Sequence, residues 1–280
     1  MQAIAEIEDS PRGLYTGAIG RLDANGDAMF NVAIRTLVWR EGILMRRWAS
    51  DRAWSPTRWR RTNGTSAWPR RRSWPGRPDI DLIETMAFDP LEGIQHLEAH
   101  LARMKASATA LGFRFDRHDA RNELQAATFR LRDVRRIRLL LARGGALVVE
   151  VGPAPARFDG VMPVRVVTLP VSPLDLRLRH KTSARGFYDA ARAAAGTGEV
   201  VFETPDGLLT EGSYTSLFVP RGDVLVTPPL ALGLLPGVLR AHLIETGRAI
   251  EGTLTRADLR DGFLLGNALR GLFRAEMVAD

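Results

Sequence analysis

HKTSARGFY, residues 180–188, and LLTEGSYTSLF, residues 208–218, carry most of the chemical information in this 280-residue chain. The sequence has 39 lysines and arginines, but only Lys105 and Lys181 are lysines. A carbonyl is attacked by a neutral amine, which lysine can supply and permanently protonated arginine cannot. Lys105 stands in QHLEAHLARMKASATALGF, where Leu97, Leu101, Met104, Ala108 and Leu111 recur at helical spacing; one step past Met104, it is expected to face water. Lys181 follows the alternating run LDLRLRH, in step with Arg177 and Arg179, and opens the polar turn KTSARG. Strand ends that lead into loops display functional side chains, although the same pattern fits a plain lysine on a strand edge. Glu211 lies between an apolar strand and a run of small hydroxyl residues. An acid there can pair with a protonated pyridine nitrogen, or can be a turn glutamate beside Gly212.

Outward from these segments, residues 79–280 read as an α/β (α+β) chain. IDLIETMAF is a strand, and the helix carrying Lys105 ends at Gly112. VRRIRLLLARGGALVVEV and VMPVRVVTLPV are strands with turns, and FYDAARAAAG is a helix closed by Gly196. GEVVFETPDGLLTEGSYTSLFV reads as a hairpin turning at PDG. PGVLRAHLIETGRAI is a helix with Pro236 near its start, and the backbone N–H groups of such a start suit a phosphate. His100 and Arg103, three apart, share a helix face, from which Arg103 could grip a phosphate through two hydrogen bonds.

Taken in order, the ETM strand, HLARMKASATALGF, HKTSARGFYD, LLTEGSYTSLF, LLPGVLR and GNALRG resemble the class IV aminotransferase family. These are the fold-type IV pyridoxal-phosphate enzymes, and the resemblance covers nearly all of residues 79–280. It implies a two-subdomain fold, a homodimer, a small-molecule substrate, and pyridoxal 5'-phosphate at the subdomain interface. It implies that Lys181 is the Schiff-base lysine and that Glu211 meets the pyridine nitrogen. Arg103 would bind the phosphate, helped by backbone around Gly237, Val238 and Asn267, and Thr85 in the ETM strand would touch substrate. Tyr188 would lie near the ring, but its spacing from Lys181 is not that of the usual transaminase tyrosine. Ser216 stands where many members have asparagine.

The N-terminal part differs. In residues 1–44, GLYTGAIG and AMFNVAIRTLVW flank the turn DANGD and read as a β-hairpin, part of a larger sheet whose remainder is expected to be missing. EIEDSPRGLYTGAIGRLDANGDAMFNVAIRTLVW resembles the C-terminal region of chorismate-utilising enzymes, specifically component I of aminodeoxychorismate synthase. Arg12, Tyr15, Gly17 and Arg35 would belong to that chorismate domain. The synthase makes 4-amino-4-deoxychorismate, and a class IV lyase converts it to 4-aminobenzoate and pyruvate for folate. The fusion therefore points to a lyase ahead of a branched-chain or D-amino-acid transaminase, the remaining alternative being an inactive fragment.

Residues 45–78 match neither part. Between Arg46 and Arg77 there are ten arginines, one acid (Asp51) and no lysine, and five of the six tryptophans lie in this segment. It shows neither helical nor strand periodicity and is expected to be disordered. Tryptophan has a single codon, so the underlying bases are partly recoverable. Read in a shifted frame, the segment can encode the glycine-rich GSG stretch of the chorismate family, so a translation out of frame over about 45–77 is expected. The magnesium-binding glutamates of that family are then absent, and no synthase activity is expected.

The net charge of +7 comes from this segment, and the rest of the chain is slightly acidic, so no specific nucleic-acid partner is expected. There is no cysteine, which excludes disulfides, thiolate catalysis and zinc–thiolate sites. No resident metal is expected. No apolar run reaches the roughly 20 residues of a membrane span, and MQAIAEIEDSPRG lacks the order of a signal peptide, so a cytoplasmic protein is the expectation.

Overall fold

In a computed structural model of the chain, the described residues are 80–156, 158 and 160–278, with the backbone of four short strands nearer the N-terminus. β1 (Ala18–Leu22) pairs antiparallel with β2 (Ala28–Val32), and β3 (Val38–Arg40) pairs antiparallel with β4 (Ile43–Met45). The expected disorder of 45–78, beyond Met45, and the residues Arg12, Tyr15, Gly17 and Arg35 lie outside the described residues. The chain divides into a unit of residues 1–71 and a unit of residues 72–280.

The larger unit begins with β5 (Leu82–Asp89) and β6 (Gly93–Ile94), followed by α1 (Leu97–Leu111) and α2 (Arg117–Thr128). β7 (Arg135–Leu141) and β8 (Leu147–Pro153) complete an antiparallel sheet of order β6–β5–β7–β8. Period-2 alternation sends Leu82, Met86 and Phe88 to one face of β5, where they pack with Leu101, Met104 and Ala108 of α1. α1 stops at Gly112, whose φ of 70° is a left-handed conformation that glycine adopts at no steric cost. Asp116 caps α2 by accepting the N–H groups of His118 and Asp119.

The remainder is built on β9 (Met162–Thr168), α3 (Leu176–Arg179), α4 (Gly186–Ala195), β10 (Glu199–Glu203) and β11 (Leu209–Gly212). It continues with β12 (Ser216–Arg221), β13 (Val224–Thr227), α5 (Val238–Glu245), β14 (Ala249–Glu251), β15 (Phe263–Asn267) and β16 (Gly271–Met277). These strands form one sheet of order β11–β10–β9–β16–β15–β12–β13–β14. An added β11–β12 pairing, Glu211 opposite Ser216, closes its first six strands into a ring around Val164, Val201, Leu209, Leu217, Leu265 and their neighbours. α4 covers the outside of the ring through Tyr188, Val200 and Phe202, and α5 covers it through Leu243 and Phe218.

One local expectation is corrected. LDLRLRH is not strand: Leu176–Arg179 is a single helical turn. Asp175 causes this, because its carboxylate caps the turn through the Arg177 N–H at 2.8 Å and also binds the Arg177 guanidinium. Leu178 is buried by that turn, and the alternation of charge was incidental.

Candidate active site

Lys181 follows the α3 turn in an extended segment that zips onto the start of β5. Thr182 bridges Leu82, the Ile83 N–H donates to Lys181 O at 2.9 Å, and the Ser183 N–H donates to Asp81 O at 2.8 Å. Paired residues on antiparallel strands project to the same side, so Lys181 shares the side of Ile83 and Thr85. Thr85 is opposite Arg138 on β7, which in turn pairs with Glu150 on β8. Burial pulls the Lys181 amine down to about 7, with Arg103 adding to the shift against Glu84, and Arg185 and Arg138 contributing further. The shift favours the neutral amine near pH 7, which is the form that attacks a carbonyl. Lys105 is exposed, as its place one step past Met104 requires.

The opposite face of β5 carries Glu84, buried beneath α1. Arg103 grips it with Nε at 2.9 Å from Oε1 and Nη2 at 2.5 Å from Oε2. His100 Nδ1–H donates to Oε2 at 2.7 Å. Burial works to raise the Glu84 pKa, but Arg103 and the hydrogen bonds outweigh it and hold the carboxyl at about 2. The third arm of Arg103, Nη1, donates to Pro236 O at 3.0 Å, one residue before Gly237. Arg103 is therefore tied to the start of α5, where the first-turn N–H groups have no intrahelical acceptor. Gly237 packs so closely there that a Cβ on it would sit 2.6 Å from Ser216 Oγ.

Glu211 is 4% exposed. Between Val201 and Glu203 of β10 the β11 register slips, with three steps on β11 matched to two on β10. This bulge turns Glu211 off the side of Leu209, inside the ring, and onto the α4 side. There the Tyr188 hydroxyl donates to Oε1 at 2.7 Å and the Leu235 N–H donates to Oε2 at 3.1 Å. Burial pushes the Glu211 carboxyl up to about 7 against the pull of Arg185, Tyr188 and Leu235. Segment 235–237 is thus held from one side by Glu211 and from the other by Arg103.

The sequence reading missed Glu84, the role of Tyr188, and Glu199. Glu199 is fully buried and accepts from the N–H groups of Val200, Ser213 and Tyr214 and from Thr215 Oγ1, at 2.9–3.2 Å, fixing the loop after Glu211. Its only signal was an acid ahead of the apolar run Val200–Phe202. Asn267 uses its side chain for structure: Nδ2–H donates to Tyr214 O, and Oδ1 accepts from Leu269 and Arg270 N–H. A cleft of about 560 Å3, lined by Ala87, His96, Phe158, Leu239 and Asn267 among others, holds no lysine and no buried carboxylate. Of the residues expected from sequence it includes Asn267 alone, and the chemically distinctive groups are those around Lys181 and Glu211.

The set fits pyridoxal 5'-phosphate. It offers an amine near neutrality, a buried acid for a ring nitrogen, an arginine oriented by a carboxylate, and a glycine-bounded helix start. Among the described residues no helix is long and apolar enough to cross a membrane.

Comparison with known proteins agrees. The family profile described as amino-transferase class IV matches residues 81–277, and that of chorismate binding enzyme matches residues 1–48. A solved structure described as a "Putative amino-acid aminotransferase" from Mesorhizobium loti is 37% identical, with a TM-score of 0.67, over 71% of this chain and 100% of that one. A "Putative aminodeoxychorismate lyase" from Schizosaccharomyces pombe is 26% identical over 71% of this chain and 90% of its own length. A hypothetical aminotransferase from Mycobacterium tuberculosis in its PLP-bound form is 25% identical, with a TM-score of 0.62, over 73% of this chain and 87% of that one.

Proposed function

The chain belongs to the class IV amino-transferases, whose profile matches residues 81–277, and we propose that within that family it is an aminodeoxychorismate lyase. One observation carries this reading. A chorismate binding enzyme match over residues 1–48 precedes the class IV match in the same chain, which supports a reading in which the class IV part acts on a chorismate-derived amine. The name of the Schizosaccharomyces pombe relative supports the same substrate. The proposed domains are a chorismate-domain fragment at 1–44, an out-of-frame segment at 45–78 and the lyase at 79–280. The chorismate match ending at residue 48 supports the second, and sequencing the gene in the shifted frame tests it.

The bound cofactor supplies an electron sink for the pair left behind when a proton leaves the substrate. The residues divide the remaining work. Lys181 would hold the cofactor through its amine, and with that amine lowered to about 7 it would serve as general base toward the proton on the ring carbon bearing the substrate amine. Loss of that proton lets the enolpyruvyl carbon–oxygen bond break, the ring becomes aromatic, and the departing enolate takes up a proton to leave as pyruvate. Glu211, held by Tyr188 and Leu235, would accept a hydrogen bond from the proton-bearing pyridine nitrogen of the cofactor. Arg103, oriented by Glu84, would hold the phosphate with the N–H groups at Gly237 and Val238, and the backbone at Asn267. Thr85, on the side of Lys181, contacts substrate. The chain is proposed to act as a homodimer.

The test is to add pyridoxal phosphate to the purified chain, reduce with borohydride, and map the modified lysine by mass spectrometry. Labelling at Lys181, followed by release of 4-aminobenzoate from aminodeoxychorismate, is the expected result. Transfer between amino and 2-oxo acids without that release would instead identify a branched-chain or D-amino-acid transaminase. Equal labelling of Lys105 would overturn the assignment of Lys181.

A further inference from the structure

Arg185 is a cation that none of the roles above employs. It stands four residues after Lys181, at the N-cap of α4. Its Nη2 donates to Ser213 O at 3.1 Å, two residues past Glu211. Its guanidinium carbon lies 4.2 Å from the centre of the Tyr188 ring, and the hydroxyl of that ring holds Glu211. Nη1 is buried and, among the described residues, has no hydrogen-bond partner. A buried charged donor without an acceptor is costly, so its retention points to an acceptor that arrives with a ligand.

Resting on the cofactor reading, we propose that Arg185 is the partner of the cofactor's phenolic oxygen, donating from Nη1 and holding that oxygen as the anion. The cofactor presents three polar groups besides the carbon that joins the lysine. The ring nitrogen is matched by Glu211, and the phosphate by Arg103 and the start of α5. None of the roles above assigns a partner to the phenolic oxygen. It sits on the ring edge between the nitrogen and the lysine-bearing carbon, and a group beside that edge should act on both Lys181 and Glu211. Arg185 does, lowering the pKa of each. Tyr188 is the obvious rival, but its hydroxyl is spent on Glu211 at 2.7 Å, and burial and that carboxylate raise its pKa against the opposing pull of the neighbouring Arg185. A phenol is therefore replaced in this chain by a fixed positive charge.

A cation beside the phenolate disfavours the proton on the lysine–cofactor nitrogen, so it lowers the pH at which that proton is lost. The measurement is a spectrophotometric pH titration of the cofactor-loaded full chain. Arg185→Gln is expected to move the midpoint upward by about one unit, a tenfold change in the proton equilibrium, and Arg185→Lys by less than half as much. Arg185→Met retains an apolar stem against Tyr188 and carries the same expectation as glutamine should that variant not fold. An unmoved midpoint in both uncharged variants, or a lysine variant displaced as far as glutamine, overturns the proposal. Borohydride labelling of the parent protein is run beside it. Failure to label Lys181 there would reject the cofactor reading itself, whereas labelling with an unmoved midpoint rejects only the role of Arg185.

Discussion

Lys181 and Glu211 are displaced toward each other on the pH axis, the amine down from 10.5 and the acid up from 4.5, and both come to about 7. Burial is the leading cause in each case, and each group is held near the protonation state its chemistry needs. Without cofactor the same burial is a stability liability with a definite sign. Glu211 binds its proton more tightly folded than unfolded, so its contribution to stability falls as pH rises from about 4.5 to 7. Lys181 binds its proton less tightly folded, so its contribution rises from about 7 to 10.5. The two slopes meet near neutrality. Glu211→Gln removes the first slope and leaves the second. In urea denaturation of cofactor-free protein, the parent should therefore lose stability relative to this variant between pH 5 and 7, by on the order of a few kcal/mol. Parallel curves for the two proteins across that range would show that the Glu211 carboxyl titrates normally.

At the scale of elements, the bulge in β11 and the start of α5 depend on each other. Glu211 and Ser216 are opposite one another at the pairing that closes the ring, and Ser216 Oγ lies against Gly237. Gly237 has φ −61°, so alanine there meets no backbone strain, only the serine oxygen 2.6 Å away. Gly237→Ala is expected to cost about 1–3 kcal/mol, as overpacking does, and to weaken cofactor retention. Ser216→Ala removes that oxygen and leaves a Cβ contact of 3.9 Å, so the double variant should recover most of the loss. A double-mutant cycle in thermal unfolding reads the coupling directly, and strict additivity would reject the contact. Ser216, where the resembled family often has asparagine, thereby gains a packing reason.

The elements themselves were legible where pattern and punctuation agreed, as in α1, with apolar spacing up to Gly112, and the β10–β11 hairpin, turning at Gly207 with φ 80°. α3 was misread because one capping aspartate outweighs a short run of alternation. Glu84 and Tyr188 were hidden for another reason. Their partners are Arg103 and Glu211, 19 and 23 residues away, and the bulge that aims Glu211 at Tyr188 leaves no trace in local periodicity. Lys181 and Glu211 could be found because each is a rare residue type in its setting.

Across the larger unit, the site is assembled by two crossings between sheets: segment 181–183 pairs with β5, and Arg103 reaches from α1 to Pro236. Every residue proposed for the lyase lies within residues 84–267, and the described core clusters draw only on residues from Ile80 onward. A chain begun at residue 79 should therefore bind pyridoxal phosphate and release 4-aminobenzoate at the rate of the full chain. The N-terminal part should add nothing to that chemistry and perform none of its own. Magnesium needs carboxylate oxygens. Between Arg46 and Arg77 the chain offers Asp51 against ten arginines, a field that repels a divalent cation. The full chain, given chorismate, ammonia and magnesium, should form no aminodeoxychorismate. Formation of that product would sink both the out-of-frame reading of 45–77 and the separation of the two activities. A slower truncated chain would show that residues 1–78, whatever their frame, support the lyase.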